Sequence, residues 1–304
     1  MSRAIEAARE FAPLGDDRPI DVCAWIGAYP YRDVPHPTPD VLVRVLEREG
    51  FGGGWVGHLP GAFHRDPVPS NRQLYEALRP YRRQLAPAPM VRPDWPKWEQ
   101  QFRDAVDEGA PAIRVYPAQW GLPAHHAGLA ELADACGETG VAMIVTVRFE
   151  DLRQRHPLDT AGDVSAATLR AIARRTGGRQ GGTLPGRGCV LVVVGAGREL
   201  IEETHWGLTP EEQALVHYDF HWVWGPPEDQ FGHLVRTLGE QHLTRSTWWP
   251  LRLTQQCRAL IALLPADLTT TDAEDWNFRD GRSLGALARQ HATRLAESRS
   301  KHVG

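Results

Sequence analysis

The chain has 304 residues, 42% of them hydrophobic, and a formal net charge of −4. That apolar content suffices for one large core, while the near-balanced charge offers nucleic acid and anionic membranes no electrostatic hold. No run reaches the roughly 18 apolar residues that a membrane span needs, and the charged, helix-like opening MSRAIEAAREFAPLGDD lacks a signal-peptide core, so a cytoplasmic protein is expected.

Short apolar strands alternate with amphipathic helices along the chain, the rhythm of an α/β fold. The first strand, IDVCAW, is followed by TPDVLVRVLEREG, in which Thr38 suits the N-cap, Pro39 the first helical position and Gly50 the stop. Val41, Leu42, Val45 and Leu46 give that helix its apolar stripe. GWVGHL with SNRQLYEALRP and LAPAPMV with WPKWEQQFRDAVDEG make the next two units. PAIRVYP with AGLAELADACGETG and VAMIVTV with SAATLRAIARRTGG follow. CVLVVVGAG precedes the short RELIEET, ALVHYDFHWVW precedes DQFGHLVRTLGEQ, and HLTRST precedes LRLTQQCRALIALL.

Eight such units in about 250 residues match a closed (β/α)8 TIM barrel better than an open doubly wound sheet. No Gly-x-Gly-x-x-Gly follows the first strand, so a dinucleotide fold has no support. GGRQGGTLPGRG, residues 177–188, reads as a flexible loop. One domain over 1–304 is expected, with the barrel core at about 20–264 and a C-terminal helical extension at 265–304. The four cysteines, Cys23, Cys136, Cys189 and Cys257, lie far apart without a CxxC, and read as reduced thiols rather than a disulfide framework or zinc knuckle.

Working groups of such barrels sit at the C-terminal ends of strands and in the loops after them. Those places hold Cys23, Trp25, His58, His64 and Asp66 in the first two units, and Arg114, Tyr116, Arg148 and Glu150 in the middle. Asp219 and His221, two apart on strand seven and so facing the same way, complete the set with Trp248 at strand eight. His64 beside Asp66 is a candidate general base, and Glu150 or Asp219 a candidate acid or orienting group. His221 joins the catalytic candidates. Asp66 and Asn71 can equally well just shape a proline-containing turn. Trp25, His58, Tyr116 and Trp248 are candidate pocket walls.

The stretches DVCAWIG, FHRDPVPSN, IRVYP, VTVRFEDLRQRHPL and STWWPL, in that order and spacing, resemble the amidohydrolase-related barrels, metal-dependent hydrolases that include aminocarboxymuconate-semialdehyde-type decarboxylases. The resemblance runs over roughly Ile20 to Leu264. It implies a His-x-His pair on strand one, a histidine on each of strands five and six, and an aspartate before a proline at strand eight, together holding a zinc-like ion. Here those places read Cys23 and Trp25, then IVTVRFE and LVVVGAG without histidine, then Trp248. The fold therefore carries over and the metal mechanism does not. No cofactor is expected. A single zinc-like ion at a rearranged site of Cys23, His58, Asp219 and His221 is the alternative.

The resemblance implies hydrolysis, or a related lyase reaction, on a small polar or anionic molecule. The alternative is a catalytically silent barrel that binds a ligand or partner. A small-molecule substrate is the expected partner, and self-association as a homo-oligomer stays open. Trp248 is expected to fill part of the vacated metal space with Trp25 against it. Arg114 and Arg148, on adjacent strands, are expected to converge on one anion, with Glu150 holding Arg148.

Overall fold

The computed structural model describes residues 17–174, 188–268 and 278–300. The helix-like opening and almost all of the glycine-rich stretch lie outside the described residues. Eight parallel strands alternate with helices: β1 (Ile20–Ile26), α1 (Pro39–Arg48), β2 (Gly53–His58), α2 (Val68–Leu78), β3 (Leu85–Pro87), α3 (Trp98–Asp107), β4 (Ala112–Val115) and α4 (Ala127–Thr139). There follow β5 (Ala142–Thr146), α5 (Ala166–Arg174), β6 (Leu191–Val194), α6 (Arg198–Trp206), β7 (Val216–Asp219), α7 (Gln230–Leu238), β8 (Leu243–Thr244), α8 (Gln256–Ala262) and α9 (Gly281–Ser300). Every strand residue is buried, because helices cover the outside and side chains fill the inside. No helix among the described residues is long and apolar enough to cross a membrane.

The strands form two ladders, β1-β2-β3 and β4 through β8, joined into a closed TIM barrel at two seams. At the first, Arg114 N donates to Pro89 O at 2.8 Å and Val91 N to Arg114 O at 3.2 Å. At the second, Trp248 N donates to Cys23 O at 3.0 Å and Trp25 N to Trp249 O at 2.9 Å. β8 is shorter than the stretch HLTRST implies because the chain leaves the ladder after Thr244 to make this second seam. Lower down, Arg279 N donates to Leu243 O at 2.8 Å and Asp280 Oδ2 accepts from Ile20 N at 2.9 Å, so residues 279–280 bridge β8 and β1 there. The long helix α9 packs across β1, α4 and β5.

Local chemistry explains most boundaries. Pro39 opens α1, Leu42, Val45 and Leu46 face the core, and Gly50 ends the turn at φ 81°. Thr38 has the extended N-cap backbone, but its hydroxyl donates to Asp40 Oδ1 at 2.6 Å and caps no amide. Alternation then sorts β1. Ala24 and Ile26 pack outward with Leu42, Leu46 and Leu74, whereas Cys23 and Trp25 join the interior cluster. The β1 register slips between Asp21 and Ala24, and the Cys23 amide freed there donates to Asp21 Oδ1 at 2.8 Å.

Around β7, three imidazoles gather: His205 and His242 have ring centroids 4.8 Å apart, and His217 and His242 6.2 Å. Burial first, and His242 second, holds His205 down to about 4 and His217 to about 3. These rings are neutral in the fold, and the unfolded chain takes up protons below about 6.5. Stability is therefore expected to be full above that pH and to fall as pH drops toward 4. His217→Gln should flatten that fall in urea unfolding, and an unchanged slope would remove His217 from the account.

Candidate active site

The interior of the barrel mouth is organised by a buried cation. Arg114 sits on β4 with its side chain wholly inside, and its Nη2 donates to Val22 O at 3.2 Å, Ala24 O at 3.3 Å and Trp55 O at 3.3 Å. Its Nη1 lies 3.8 Å from Cys23 Sγ, and its guanidinium carbon lies 4.7 Å from the Trp25 ring centroid. Gly57 on β2 makes room for it. A Cβ there would stand 2.9 Å from Arg114 Cδ and Nε and from Trp25 Cδ1.

Above the guanidinium lies an aromatic layer. Trp25 Nε1 donates to Tyr116 Oη at 3.1 Å, and Tyr116 stacks on Phe149 at 5.3 Å. Trp248 meets Trp25 edge-on at 5.1 Å and Trp222 at 5.6 Å. Trp248 is held at φ 55°, a left-handed backbone that costs a bulky residue about 1–3 kcal/mol. Its compensations are local: its amide closes the barrel on Cys23 O, and its indole N–H donates to Asp219 Oδ2. Asp219, at the end of β7, also accepts from Ser246 Oγ at 2.7 Å and from the His221 amide at 3.1 Å. Burial nevertheless outweighs these donors and pushes its carboxyl up to about 7.

His221 lies beside it, its ring 6.1 Å from that of Trp248. Its Nδ1 faces Ser246 O at 3.3 Å, which leaves Nε2 as a buried lone pair without a partner. Burial, with Arg252 second, holds its pKa down to about 3, so the ring is neutral. Asp21 accepts from Thr247 Oγ1 at 2.5 Å and ties β1 to the chain after β8. Burial raises the Cys23 thiol well above its ordinary range despite Arg114, so no thiolate nucleophile is present.

Other expected residues are placed elsewhere. His64 and Asp66 are exposed, and Asp66 Oδ1 accepts from Val68 N at 3.0 Å, which gives it a turn-shaping role in the loop after β2. His58 is tied to Ser70 Oγ at 2.5 Å, and burial holds it down to about 4. Arg114 and Arg148 do not converge. Arg114 points into the barrel, whereas Arg148 pairs with Asp163 at 3.0 Å. Glu150 pairs instead with Arg32 at 2.7 Å, and Arg32 also reaches Leu251 O at 2.6 Å, which links the loops after β1, β5 and β8. Arg32 and Arg252 are mouth residues that sequence reasoning missed. Only their loop positions after strand ends signalled them.

No protein-family model and no curated protein matches the chain. Solved structures do. The Pseudomonas putida protein described as a 2-pyrone-4,6-dicarboxylic acid hydrolase aligns with TM-score 0.59 at 15% identity, over 90% of this chain and 98% of its own. A 2,6-dihydroxybenzoate decarboxylase complexed with 2,6-dihydroxybenzoate aligns with TM-score 0.60 at 12% identity, over 88% and 98%. A zinc-bound amidohydrolase from Burkholderia multivorans aligns with TM-score 0.57 at 15% identity, over 90% and 99%. At these identities the likeness is one of fold, that of the TIM barrels of these neighbours.

The residues at this mouth do not fit the metal that such a fold implies. Cys23 and Trp25, at the strand-one places, already face a fixed guanidinium, which would repel a divalent ion. Both Asp219 oxygens are engaged by donors, and among the described residues no three His, Cys, Asp or Glu side chains are arranged to hold a metal.

Arg114→Met strands its carbonyl partners and takes away a charge that favours the ionised form of buried Asp21, and should cost about 3 kcal/mol in denaturant unfolding. Gly57→Ala should also destabilise, and wild-type stability in both would place the guanidinium elsewhere. Asp219 binds its proton more tightly folded than unfolded, so its ionisation erodes stability as pH rises from the ordinary carboxylate range to about 7. Asp219→Asn should therefore gain on wild type across that window and then level off, whereas a pH-independent difference would contradict the shift.

Proposed function

We propose that the chain is a hydrolase or lyase for a small polar or anionic molecule, works without a metal ion, and uses Asp219 to carry the proton. One observation carries this reading: a carboxyl pushed up to about 7 at the end of β7 in a barrel mouth. Such a group is about half protonated near neutral pH, so it can both give and accept a proton. In decarboxylation it would protonate the carbon that CO2 leaves. In ester or lactone hydrolysis it would protonate the departing oxygen. Neutral His221 offers a second acceptor through its unbonded Nε2. The fold relatives named for dicarboxylic acid hydrolysis and dihydroxybenzoate decarboxylation support the same two reaction classes and an anionic substrate.

The Trp248 indole covers Asp219, so a substrate reaches the acid only when that ring swings aside. This cover favours the second reading, a catalytically silent barrel that binds a small ligand above the aromatic layer.

The test is turnover of 2-pyrone-4,6-dicarboxylate and 2,6-dihydroxybenzoate by protein purified without chelator, with elemental analysis of the same sample. Turnover that survives chelation and falls about 100-fold in Asp219→Asn is expected. Activity that follows one bound zinc, manganese or iron per chain would reject the metal-free mechanism. Inactivity toward both compounds would favour the silent barrel.

A further inference from the structure

Arg252, in the chain after β8, is a half-buried cation on the rim of the mouth. Its guanidinium carbon lies 3.9 Å from the Trp222 ring centroid, and it makes no ion pair among the described residues. The carboxylates nearest it are engaged elsewhere. Glu150 pairs with Arg32 at 2.7 Å, Asp151 with Arg153 at 2.9 Å, and Asp219 is capped by Trp248 and Ser246.

Arg148 lies 5.6 Å from the centroid of the same indole. Its carboxylate partner Asp163 is shared, since Arg155 also reaches it, at 2.6 Å. One carboxylate thus serves two guanidiniums, and Arg148 Nε is buried without a partner. Beneath Arg148 is a small cavity with room for about one water, lined in part by Thr146, whose buried Oγ1 also lacks a partner. The remaining acid of this rim, Asp159, turns to Gln119 Nε2 and the Ala161 amide, both at 3.3 Å.

A guanidinium lying on an indole keeps its in-plane N–H donors for an anion, and partial burial lowers the dielectric in which they act. We propose that Arg252 and Arg148, flanking Trp222, form a binding site for the carboxylate of a small molecule. This deepens the reading of the mouth as the place where a small anion is handled, and it supplies the positive charge that sealed Arg114 cannot offer to a ligand.

The experiment is calorimetric titration at low ionic strength with benzoate, citrate and inorganic phosphate, and with benzamide as the neutral twin of benzoate. Benzoate and citrate should bind better than benzamide, and added salt should weaken them. Arg252→Gln should raise the benzoate Kd about tenfold or more, and Arg252→Lys, which keeps the charge but loses the fork, should fall between. Far-UV circular dichroism confirms that each variant is folded. Equal binding of benzoate and benzamide, an unchanged Kd in Arg252→Gln, preference for phosphate alone, or no binding of any anion would overturn the proposal. Arg252-dependent binding without turnover of any compound keeps the site and sinks the catalytic reading. Turnover with an unchanged KM in Arg252→Gln does the reverse.

Discussion

The guanidinium of Arg114 is the constraint around which the mouth is built. A cation taken out of water costs several kcal/mol unless its donors find acceptors, and here strand carbonyls, a thiol and an indole face serve Nη1 and Nη2, while Nε is buried without a partner. Each acceptor fixes a neighbour. β1 must bring its carbonyls within reach, β2 must carry glycine at position 57, and Trp25 must lie over the charge. With Trp25 in place, Tyr116 and Trp248 pack on its edges, and Trp248 then reaches Asp219. The chain of contacts runs from one buried charge to one buried acid.

Barrel closure and the covering of the mouth are the same structural event. The backbone of Trp248 and Trp249 makes the bonds that join the chain after β8 to β1, while the Trp248 ring packs against Trp25 and covers Asp219. Asp21 reinforces the seam through the Thr247 hydroxyl and amide. A movement that uncovers Asp219 by rotating the Trp248 side chain alone leaves those backbone bonds intact. A movement of the whole segment would open the barrel. Side-chain gating is the cheaper route, and it leaves Trp222 and Arg252 in place to hold a ligand.

Much of the fold could be read from the sequence, because parallel strands buried on both faces are apolar runs and the helices between them carry caps and stripes. The meeting of Trp25 and Trp248 was legible for a related reason: both follow strand ends that a closed barrel makes neighbours. The direction of Arg114 was not. Residue order places it on β4, but only the free volume at Gly57 lets its side chain turn inward, and that volume belongs to another strand. Arg32 and Glu150 are 118 positions apart, and no local pattern pairs them. Of the two readings that Asp66 offered, the structure shows the turn bond, since turn-shaping and catalytic carboxylates look alike in sequence.

The kind of charge inside the barrel also limits what the mouth can do. A bound divalent ion can reach substrate oxygen directly and activate a water. A guanidinium has no open coordination position, and this one is sealed beneath an indole, so it organises the protein and touches no ligand. Neutralisation of a substrate anion must then come from outside the aromatic layer, and the rim holds charge of that kind where Arg252 lacks an ion pair and Arg148 shares its carboxylate. In the proposed reaction proton transfer falls to a group that burial keeps about half protonated near neutrality, as it does Asp219. In the proposed mechanism, work that a metal-bearing barrel concentrates at one ion is divided between a rim that can hold charge and a covered acid that can move a proton.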